Sequence, residues 1–352
     1  MKILGIESSC DECAAAVVED GKRILSNVVA TQIPFHAVYE GVVPEIASRM
    51  HTEWIYRVVQ EALQKAGLHP AGIDGVAATA HPGLLGSLLV GLSFAKAFAW
   101  SRNLPFIAVD HLLAHLYASQ LAETPENTLS EPPEYPFLGL LVSGGHSIIC
   151  RVDDFDGVTV LGTTIDDAVG EAFDKVSKHY GFGYPGGAAI DTLARKGDTH
   201  AFNFPLPNLY KGEHRYDLSY SGLKTAVINQ LEQFRAKKGT ANQEAVKIRS
   251  EDIAASFQKT AVDILLRSLF RAVDDTRLTT IVGGGGVAAN SCLRACLAGH
   301  QGLRCIFPPP ELCGDNGAMI AGLGYRYLKR GDRSPLTAVA SARVKAFKRR
   351  YP

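Results

Sequence analysis

The stretch LGIESSCDECAAAVVEDG, from Leu4 to Gly21, decides the fold, and a second stretch, LGLLVSGGHSIICRVDDFDG, from Leu138 to Gly157, resembles it. Each predicts an apolar strand, a tight turn of small or acidic residues, a second apolar strand, and an acidic turn that ends in glycine. Ser9 and Ser143 open the two central turns at matching places. The sequence therefore predicts two related halves, each beginning with a β-hairpin whose turn points into a shared cleft.

Strand and helix patterns alternate along the rest of the chain. EIASRMHTEWIYRVVQEALQKAG (Glu45 to Gly67) predicts a long amphipathic helix that stops at its glycine. A second long helix is predicted from Ile253 to Val273, just before the strand TTIV. This alternation predicts an α/β architecture with a mixed sheet in each half. A cleft between the halves is the expected ligand site.

Composition indicates an ordinary globular protein. The chain has 352 residues, of which 46% are apolar, so two domains or two halves are expected. Its seven cysteines are few and odd in number, which favours reduced thiols over a disulfide framework. No run approaches the length of a transmembrane helix, and the N-terminus is unlike a signal peptide. We therefore expect a cytoplasmic protein that does not contact a membrane.

The zero net charge hides an asymmetry. From Arg326 to Pro352 there are nine basic residues and one acid, so this tail carries +8 and the rest of the chain −8. A basic tail on an acidic body suits a polyanion such as RNA. A solvated, frayed terminus explains the same charges.

His111 and His115 stand four apart in HLLAH, after the strand-like FIAV. On a helix their imidazoles share one face, about 6 Å apart between Cβ atoms, which suits two ligands of one metal ion. A carboxylate should complete such a site, and Asp315, in the glycine-flanked CGDNGAM, is the best distant candidate. Two core histidines that merely pack would show the same spacing. HLLAH lacks the glutamate of the HExxH motif, which argues against a zinc peptidase.

Two small-residue turns could bind a nucleotide. Gly283 to Gly286 follow a strand and precede a helical pattern, so their N–H groups could approach a phosphate, although tight packing needs glycine equally. Ser143, Gly144 and Gly145 could form an anion-binding nest, or serve only as hairpin-turn residues.

Several acids are candidate site residues. Asp11 and Glu12 lie together in the first turn, where they could bind a cation or ligand hydroxyl and amino groups, or simply be solvated. Asp167, Glu171 and Asp174 have the spacing of one helical face. Asp191 follows a PGG turn.

Ten motifs in order carry a resemblance that covers nearly the whole chain. They are GIESSCDE (Gly5 to Glu12), VVPEIASRMH (Val42 to His51), PGLLGSLLVG (Pro82 to Gly91), HLLAH, LVSGGH (Leu141 to His146), GEAFDKV (Gly170 to Val176), YPGG (Tyr184 to Gly187), SYSGLKTAV (Ser219 to Val227), GGGVAAN (Gly284 to Asn290) and GDNGAMIA (Gly314 to Ala321). Together they resemble the tRNA threonylcarbamoyladenosine transferase family, once labelled O-sialoglycoprotein endopeptidases.

The resemblance implies an actin-like, Hsp70-like ATPase fold of two duplicated, RNase H-like halves around a central cleft. The implied N-terminal half is residues 1–110 plus about 315–335, the C-terminal half 111–314, and the basic tail 336–352. The implied activity is transfer of threonylcarbamoyl from threonylcarbamoyl-AMP to N6 of the adenosine beside the anticodon, in tRNAs that read codons beginning with A.

The resemblance also implies roles for individual residues. The implied metal ligands are His111, His115 and Asp315, with Fe²⁺ as the ion or zinc as the alternative. Asp11 and Glu12 match acids near the reacting group. The implied contacts with the adenylate are Leu141, Val142, Ser143, Gly144, Gly145, Asp174, Gly187, Asp191 and Asn290.

Some positions depart from the family pattern without removing an implied ligand. Asp110 and Ala114 stand where Asn and Gly are usual around the histidine pair, Glu40 and His81 where Gly is usual, and Cys13 where Thr is usual. An extra acid beside the histidines would change the surroundings of the metal.

The implied partners are tRNA, an inactive paralogue of the same fold and a small P-loop ATPase, as in bacteria. Two other functions remain open from the sequence. One is an ATP-binding chaperone-like or kinase-like module, because the fold usually handles ATP, and the other is the metallopeptidase of the old family label.

Overall fold

The chain forms two β-sheets that share a five-strand order, to which the second sheet adds a sixth strand. The computed structural model describes residues 1–122, 132–209, 212–237, 249–343 and 348–349. The first sheet has the order β3-β2-β1-β4-β5. Its strands are β1 (Lys2–Glu7), β2 (Glu12–Glu19), β3 (Arg23–Thr31), β4 (Gly75–His81) and β5 (Phe106–Asp110). β1 pairs antiparallel with β2 and parallel with β4, so this sheet is mixed.

The second sheet repeats this arrangement. Its order is β10-β9-β6-β7-β8-β11. Its strands are β6 (Phe137–Val142), β7 (Ser147–Val152), β8 (Val158–Thr163), β9 (Thr280–Gly284), β10 (Arg304–Ile306) and β11 (Lys348–Arg349). β6 pairs antiparallel with β7 and parallel with β9, as β1 does with β2 and β4. The predicted pair of related halves, each beginning with a hairpin, is confirmed.

Ten helices connect and cover the sheets in the described part of the chain. They are α1 (Ile33–His36), α2 (Pro44–Lys65), α3 (Leu85–Ser101), α4 (His111–Tyr117), α5 (Val169–Tyr180), α6 (Gly186–Ala194), α7 (Ser221–Lys237), α8 (Ser250–Thr276), α9 (Ser291–Ala298) and α10 (Gly317–Arg330). α2 ends two residues before Gly67, whose φ of +66° is the left-handed conformation expected of a helix stop. None of the described helices is both long enough and apolar enough to cross a membrane.

The core has three apolar clusters, and the middle one lies between the sheets. On the outer face of the first sheet, α2 and α3 pack on residues such as Leu4 and Val17. On the outer face of the second sheet, α5 to α9 pack on residues such as Leu140. α4 and α10 lie in the middle cluster with Ile3 of the first sheet and Leu141 of the second. These two helices therefore join the two sheets.

Close backbone approach fixes the middle layer. A Cβ added at Gly5 of β1 would lie 2.2 Å from the carbonyl oxygen of Gly317 and 2.5 Å from the nitrogen of Ala321, both in α10. A Cβ at Gly284 of β9 would lie 2.5 Å from the carbonyl oxygen of His115 in α4. Only glycine fits where a helix comes this near to a strand. Part of the glycine run at 283–286 therefore serves packing.

One predicted helical face is wrong. Because α5 begins at Val169, Asp167 lies before the helix and does not share a face with Glu171 and Asp174. Its carboxylate contacts Lys175 and Lys224. These two ammonium groups lower the pKa of Asp167 although burial opposes them.

The C-terminal segment runs along the first sheet before it reaches the second. The backbone N–H groups of Ser334 and Ser341 donate to the carbonyl oxygens of Phe106 and Ala80. β11 then pairs parallel with β8. Residues 344–347 and 350–352 lie outside the described residues, so the predicted polyanion contact of the basic tail stays a prediction. The predicted domain boundaries also stay predictions.

Gly5→Ala should destabilise the protein, because the new methyl group meets the backbone of α10. Overpacking of this kind costs about 1–3 kcal/mol of the free energy of unfolding. The measurement is denaturant unfolding of the metal-free protein. Gly222→Ala in α7 is the matched control, because a Cβ there meets nothing within 4 Å. Equal stability of the two variants would contradict this role of Gly5.

Candidate metal centre and ligand cleft

The two histidines lie one turn apart at the start of α4, which follows β5 without a loop. Asp110 ends β5, and its Oδ1 accepts hydrogen bonds from the backbone N–H groups of Leu112 and Leu113, at 2.8 and 3.0 Å. A capping carboxylate satisfies amides that the first turn of a helix leaves unpaired. Asp110 thereby fixes the start of α4 and the position of His111.

Asp315 meets the two histidines from the other helix of the middle layer. It lies two residues before α10, whose N-cap Asn316 accepts from the N–H of Met319 and donates to the carbonyl of Gly314. Asp315 Oδ1 lies 3.1 Å from His115 Nε2 and 3.5 Å from His111 Nε2, and the two Nε2 atoms are 3.2 Å apart. Among the described residues, His111, His115 and Asp315 form a group whose potential ligand atoms all lie within 4.8 Å of one another.

The three atoms fit a divalent metal ion. Two imidazole nitrogens that face each other at 3.2 Å repel unless one carries a proton or both share a cation. A cation bound to both nitrogens and to the Asp315 oxygen removes that conflict. Two imidazoles and one carboxylate suit iron or zinc and leave positions open for a ligand.

Glu7 is a site residue that the sequence analysis missed. It is fully buried, and its Oε2 lies 3.0 Å from His111 Nδ1. The hydroxyl of Thr79 and the backbone N–H of Ser9 also donate to its carboxylate. With a proton on Nδ1, His111 turns its unprotonated Nε2 toward the metal position. The available signal was a charged residue at the end of the apolar strand KILGIE.

Without an ion the centre is a buried network of charges. Burial alone would lower the pKa of His111, but the carboxylates of Asp315 and Glu7 raise it to about 9. Burial would raise the pKa values of Asp315 and Glu7, yet the His111 charge holds both below their usual range. His115 shows the opposite shift, since burial and the His111 charge lower its pKa. Protons and a metal ion therefore compete for His111.

Asp11 and Glu12 lie beside this centre, at the turn between β1 and β2. Burial, the charge of Asp315 and the charge of Asp11 raise the pKa of Glu12 to about 10. The Glu12 side chain also forms a hydrogen bond with Asp11. His51 of α2, which is fully buried, donates from Nε2 to the carbonyl of Cys10 at 2.9 Å and holds the turn in place.

The structure brings Asp191 and Asn290 together from positions 99 residues apart. Asp191 Oδ1 accepts from Asn290 Nδ2, from the Ser291 hydroxyl at 2.7 Å and from the Ser291 N–H at 3.1 Å. Asn290 also donates to Gln258 and caps α9. The result is a fixed polar wall on the side of the second sheet.

The predicted ligand-binding turn lies at the start of α5. The N–H of Glu171 donates to the carbonyl of Gly144. Leu141 and Val142 have buried side chains, so they can offer a ligand only backbone atoms. A Cβ would meet nothing within 4 Å at Gly144, Gly145 or Gly187. The backbone around these glycines is therefore open to a close ligand.

Asp174 places α5 opposite the Asp11 turn. Its Oδ1 accepts from the N–H of Gly186 at 2.7 Å. Burial raises the pKa of Asp174, and the charge of Asp11 raises it further. Asp11 of the first half and Asp174 of the second therefore face each other across a cleft, beside Asp315.

Comparison with known sequences gives one consistent result. The sequence model of a family described as tRNA N6-adenosine threonylcarbamoyltransferase matches residues 23–322. A protein of that name from Treponema denticola is 65% identical over 350 residues, which is 99% of each chain. One from Treponema pallidum (strain Nichols) is 56% identical and covers 99% of this chain and 95% of its own. One from Borrelia hermsii is 49% identical and covers 99% and 98%.

Solved structures are similar in fold at low sequence identity. Full-length HypF in its phosphate- and nucleotide-bound form has a TM-score of 0.57 and 15% identity, over 93% of this chain and 46% of its own. Component A of the (R)-2-hydroxyglutaryl-CoA dehydratase of Acidaminococcus fermentans has a TM-score of 0.53 and 15% identity, over 94% and 99%. These are actin-like ATPase folds, so the predicted fold class is confirmed.

Glu7→Gln should lower metal affinity about 10- to 100-fold, because Glu7 orients the ligating imidazole. Metal affinity of the unaltered protein should rise with pH up to about 9, since His111 must lose its proton to bind. The rise should occur at lower pH in Glu7→Gln, where one of the carboxylates that raise the His111 pKa is gone. The measurement is competition with a chromophoric chelator between about pH 6 and 10, with the exposed His200→Ala as control. Unchanged affinity and pH profile in Glu7→Gln would contradict this role.

Proposed function

The chain belongs to the tRNA N6-adenosine threonylcarbamoyltransferase family, and we propose that it performs its acyl transfer at the centre formed by His111, His115 and Asp315. It is a transferase that forms N6-threonylcarbamoyladenosine in tRNA. The observation that carries the placement is the convergence of three ligand atoms beside the buried Asp11 and the half-buried Glu12.

The main contribution that this reaction requires from the protein is to position the two reactants. The adenine N6 attacks the carbamoyl carbon of threonylcarbamoyl-AMP, the bond from that carbon to the phosphate oxygen breaks, AMP leaves, and N6 loses a proton. The leaving group departs easily, whereas N6 is a poor nucleophile because its lone pair is delocalised into the ring. Holding the two reactants in contact and stabilising negative charge on the oxygens are therefore the useful contributions.

His111, His115 and Asp315 would hold Fe²⁺, or zinc as the alternative. The bound ion would supply positive charge that polarises the carbamoyl or phosphate oxygens. Glu7 and Asp110 serve this arrangement by orienting His111 and by fixing the start of α4. The mixed nitrogen and oxygen donor set supports either ion.

The wall of the second sheet would bind the adenylate. Asp191 would accept a hydrogen bond from a sugar hydroxyl, and Asn290 would hold its carboxylate in place. The backbone at Ser143, Gly144 and Gly145 can approach the phosphate, because nothing stands where the glycine side chains would be. Asp174 and Gly187 border the same space.

Asp11 is the group that we assign to accept the N6 proton. It lies buried in the turn beside the metal ligands, and its neighbour Glu12 shares a hydrogen bond with it. Glu12 then acts by donating a hydrogen bond to Asp11, which holds it in place.

The family supports tRNA as the substrate. We further propose a cytoplasmic location and two protein partners, an inactive paralogue of the same fold and a small P-loop ATPase. An ATP-binding chaperone-like or kinase-like activity and a metallopeptidase activity would be seen in parallel incubations with labelled ATP and with glycoprotein.

Asp11→Asn should lower the single-turnover rate of transfer to unmodified tRNA about 100- to 10,000-fold, because the proton acceptor is lost. Glu12→Gln should keep the rate within about tenfold, since an amide can still donate to Asp11. Metal content and tRNA binding should be unchanged in both variants. An Asp11→Asn enzyme as fast as Glu12→Gln would exclude Asp11 as the acceptor.

A further inference from the structure

Three large apolar side chains lie exposed on one short segment, the rim loop (residues 32–41). Phe35 is 52% exposed, Val38 82% and Tyr39 56%. Single exposed apolar residues are ordinary on a protein surface. Three exposed apolar side chains within five positions, two of them aromatic, form an apolar surface patch, and such patches mark binding sites.

Hydrogen bonds place the start of the rim loop beside the site acids. The N–H of Gln32 donates to the carbonyl of Asp11 at 3.0 Å. One residue earlier, the hydroxyl of Thr31 lies 3.4 Å from Glu12 Oε1. The loop therefore leaves β3 at the edge of the cleft, next to the proposed proton acceptor.

The end of the rim loop contacts the other wall of the cleft. Glu40 Oε2 lies 3.1 Å from Lys178 Nζ of α5. Lys178 is one helical turn beyond Asp174, which faces Asp11. The loop thus bridges the two halves at the mouth of the cleft. Because Lys178 offsets the charge of Glu40, the pair does not repel a polyanion there.

A buried histidine holds the rim loop in one conformation. His36 is fully buried; its Nδ1 accepts from the N–H of Val43, and its Nε2 donates to the side-chain oxygen of Gln32. Phe35 packs edge-to-face on Trp54 of α2, with ring centroids 5.9 Å apart. The exposed aromatic surface is therefore presented in a fixed place and loses little freedom on binding.

We propose that Phe35, Val38 and Tyr39 form a platform on which the unpaired tRNA bases next to the target adenosine stack. This inference rests on the proposed function. If N6 of one adenosine reaches the base of the cleft, the neighbouring nucleotides must lie at its mouth, where the rim loop stands. Proteins recognise unpaired RNA bases largely by stacking them on aromatic side chains. The alternative ligand of this platform is the surface of a partner protein.

The test is binding of a fluorescent, unmodified anticodon stem-loop RNA to the full-length protein. Stacking of one base contributes about 1–3 kcal/mol, so Tyr39→Ala should weaken binding about 5- to 150-fold. Tyr39→Phe should restore binding to within about twofold, because the ring is kept. Val38→Ala, at the most exposed of the three positions, should weaken binding without affecting the fold.

Trp100→Ala is the matched control. Trp100 is 74% exposed near the C-terminal end of α3. The N-terminal end of that helix is next to the cleft, since the N–H of Leu84 donates to the carbonyl of Ser9. At 1.5 Å per residue, Trp100 lies about 24 Å from that end. Its replacement should leave RNA binding unchanged.

A second RNA identifies the contact as stacking. A stem-loop with abasic nucleotides on both sides of the target adenosine should bind the unaltered protein at least as weakly as the intact stem-loop binds Tyr39→Ala. The loss caused by Tyr39→Ala should be smaller with the abasic RNA than with the intact RNA.

Three results would overturn the proposal. The first is intact RNA binding in Tyr39→Ala and Val38→Ala, and the second is an equal loss with the intact and abasic RNAs. The third is loss of complex formation with a partner protein alone, which would identify the rim loop as a protein interface. If the unaltered protein transfers no threonylcarbamoyl to tRNA, the proposed function fails together with this inference. If the unaltered protein does transfer threonylcarbamoyl and Tyr39→Ala binds RNA normally, only this inference fails.

Discussion

The site depends on the contact of Asp315 with His111 and His115. This contact joins the start of α4 to the residue before the N-cap of α10, in the layer between the sheets. α4 follows β5 directly, and Asp315 immediately precedes the N-cap of α10. Neither helix can shift far, because Gly5 and Gly284 bring strand backbones against them. The ligand atoms are therefore held at 3.1–3.5 Å by the packing that joins the two halves. Rigid elements of this kind hold a site more precisely than loops do.

Neighbouring buried acidic side chains have pKa values that are shifted in opposite directions. Glu7 and Asp315 keep their charges because imidazoles lie against them. Glu12 lies among carboxylates, and burial together with their charges raises its pKa. The local environment thus sets the pKa values of carboxyl groups within a few residues apart, as it does in other sites.

Structural features that depend on local sequence pattern could be predicted from the sequence. The two hairpins and HLLAH were recognisable because strand alternation and helical spacing are local properties. Asp315 could be joined to the histidines only as a candidate, because 200 residues separate it from His115. Glu7 was missed because its importance comes from a contact with His111, 104 positions away. The error at Asp167 arose because a spacing of four and seven residues does not say where a helix begins.

Metal reconstitution of the stripped enzyme tests the central claim most directly. Single-turnover transfer of threonylcarbamoyl to unmodified tRNA is measured as Fe²⁺ or Zn²⁺ is added back stepwise. The account predicts activity that rises linearly and stops rising at one ion per chain, with no such recovery in the His111→Ala, His115→Ala variant. Full transfer activity in the metal-free protein would contradict it.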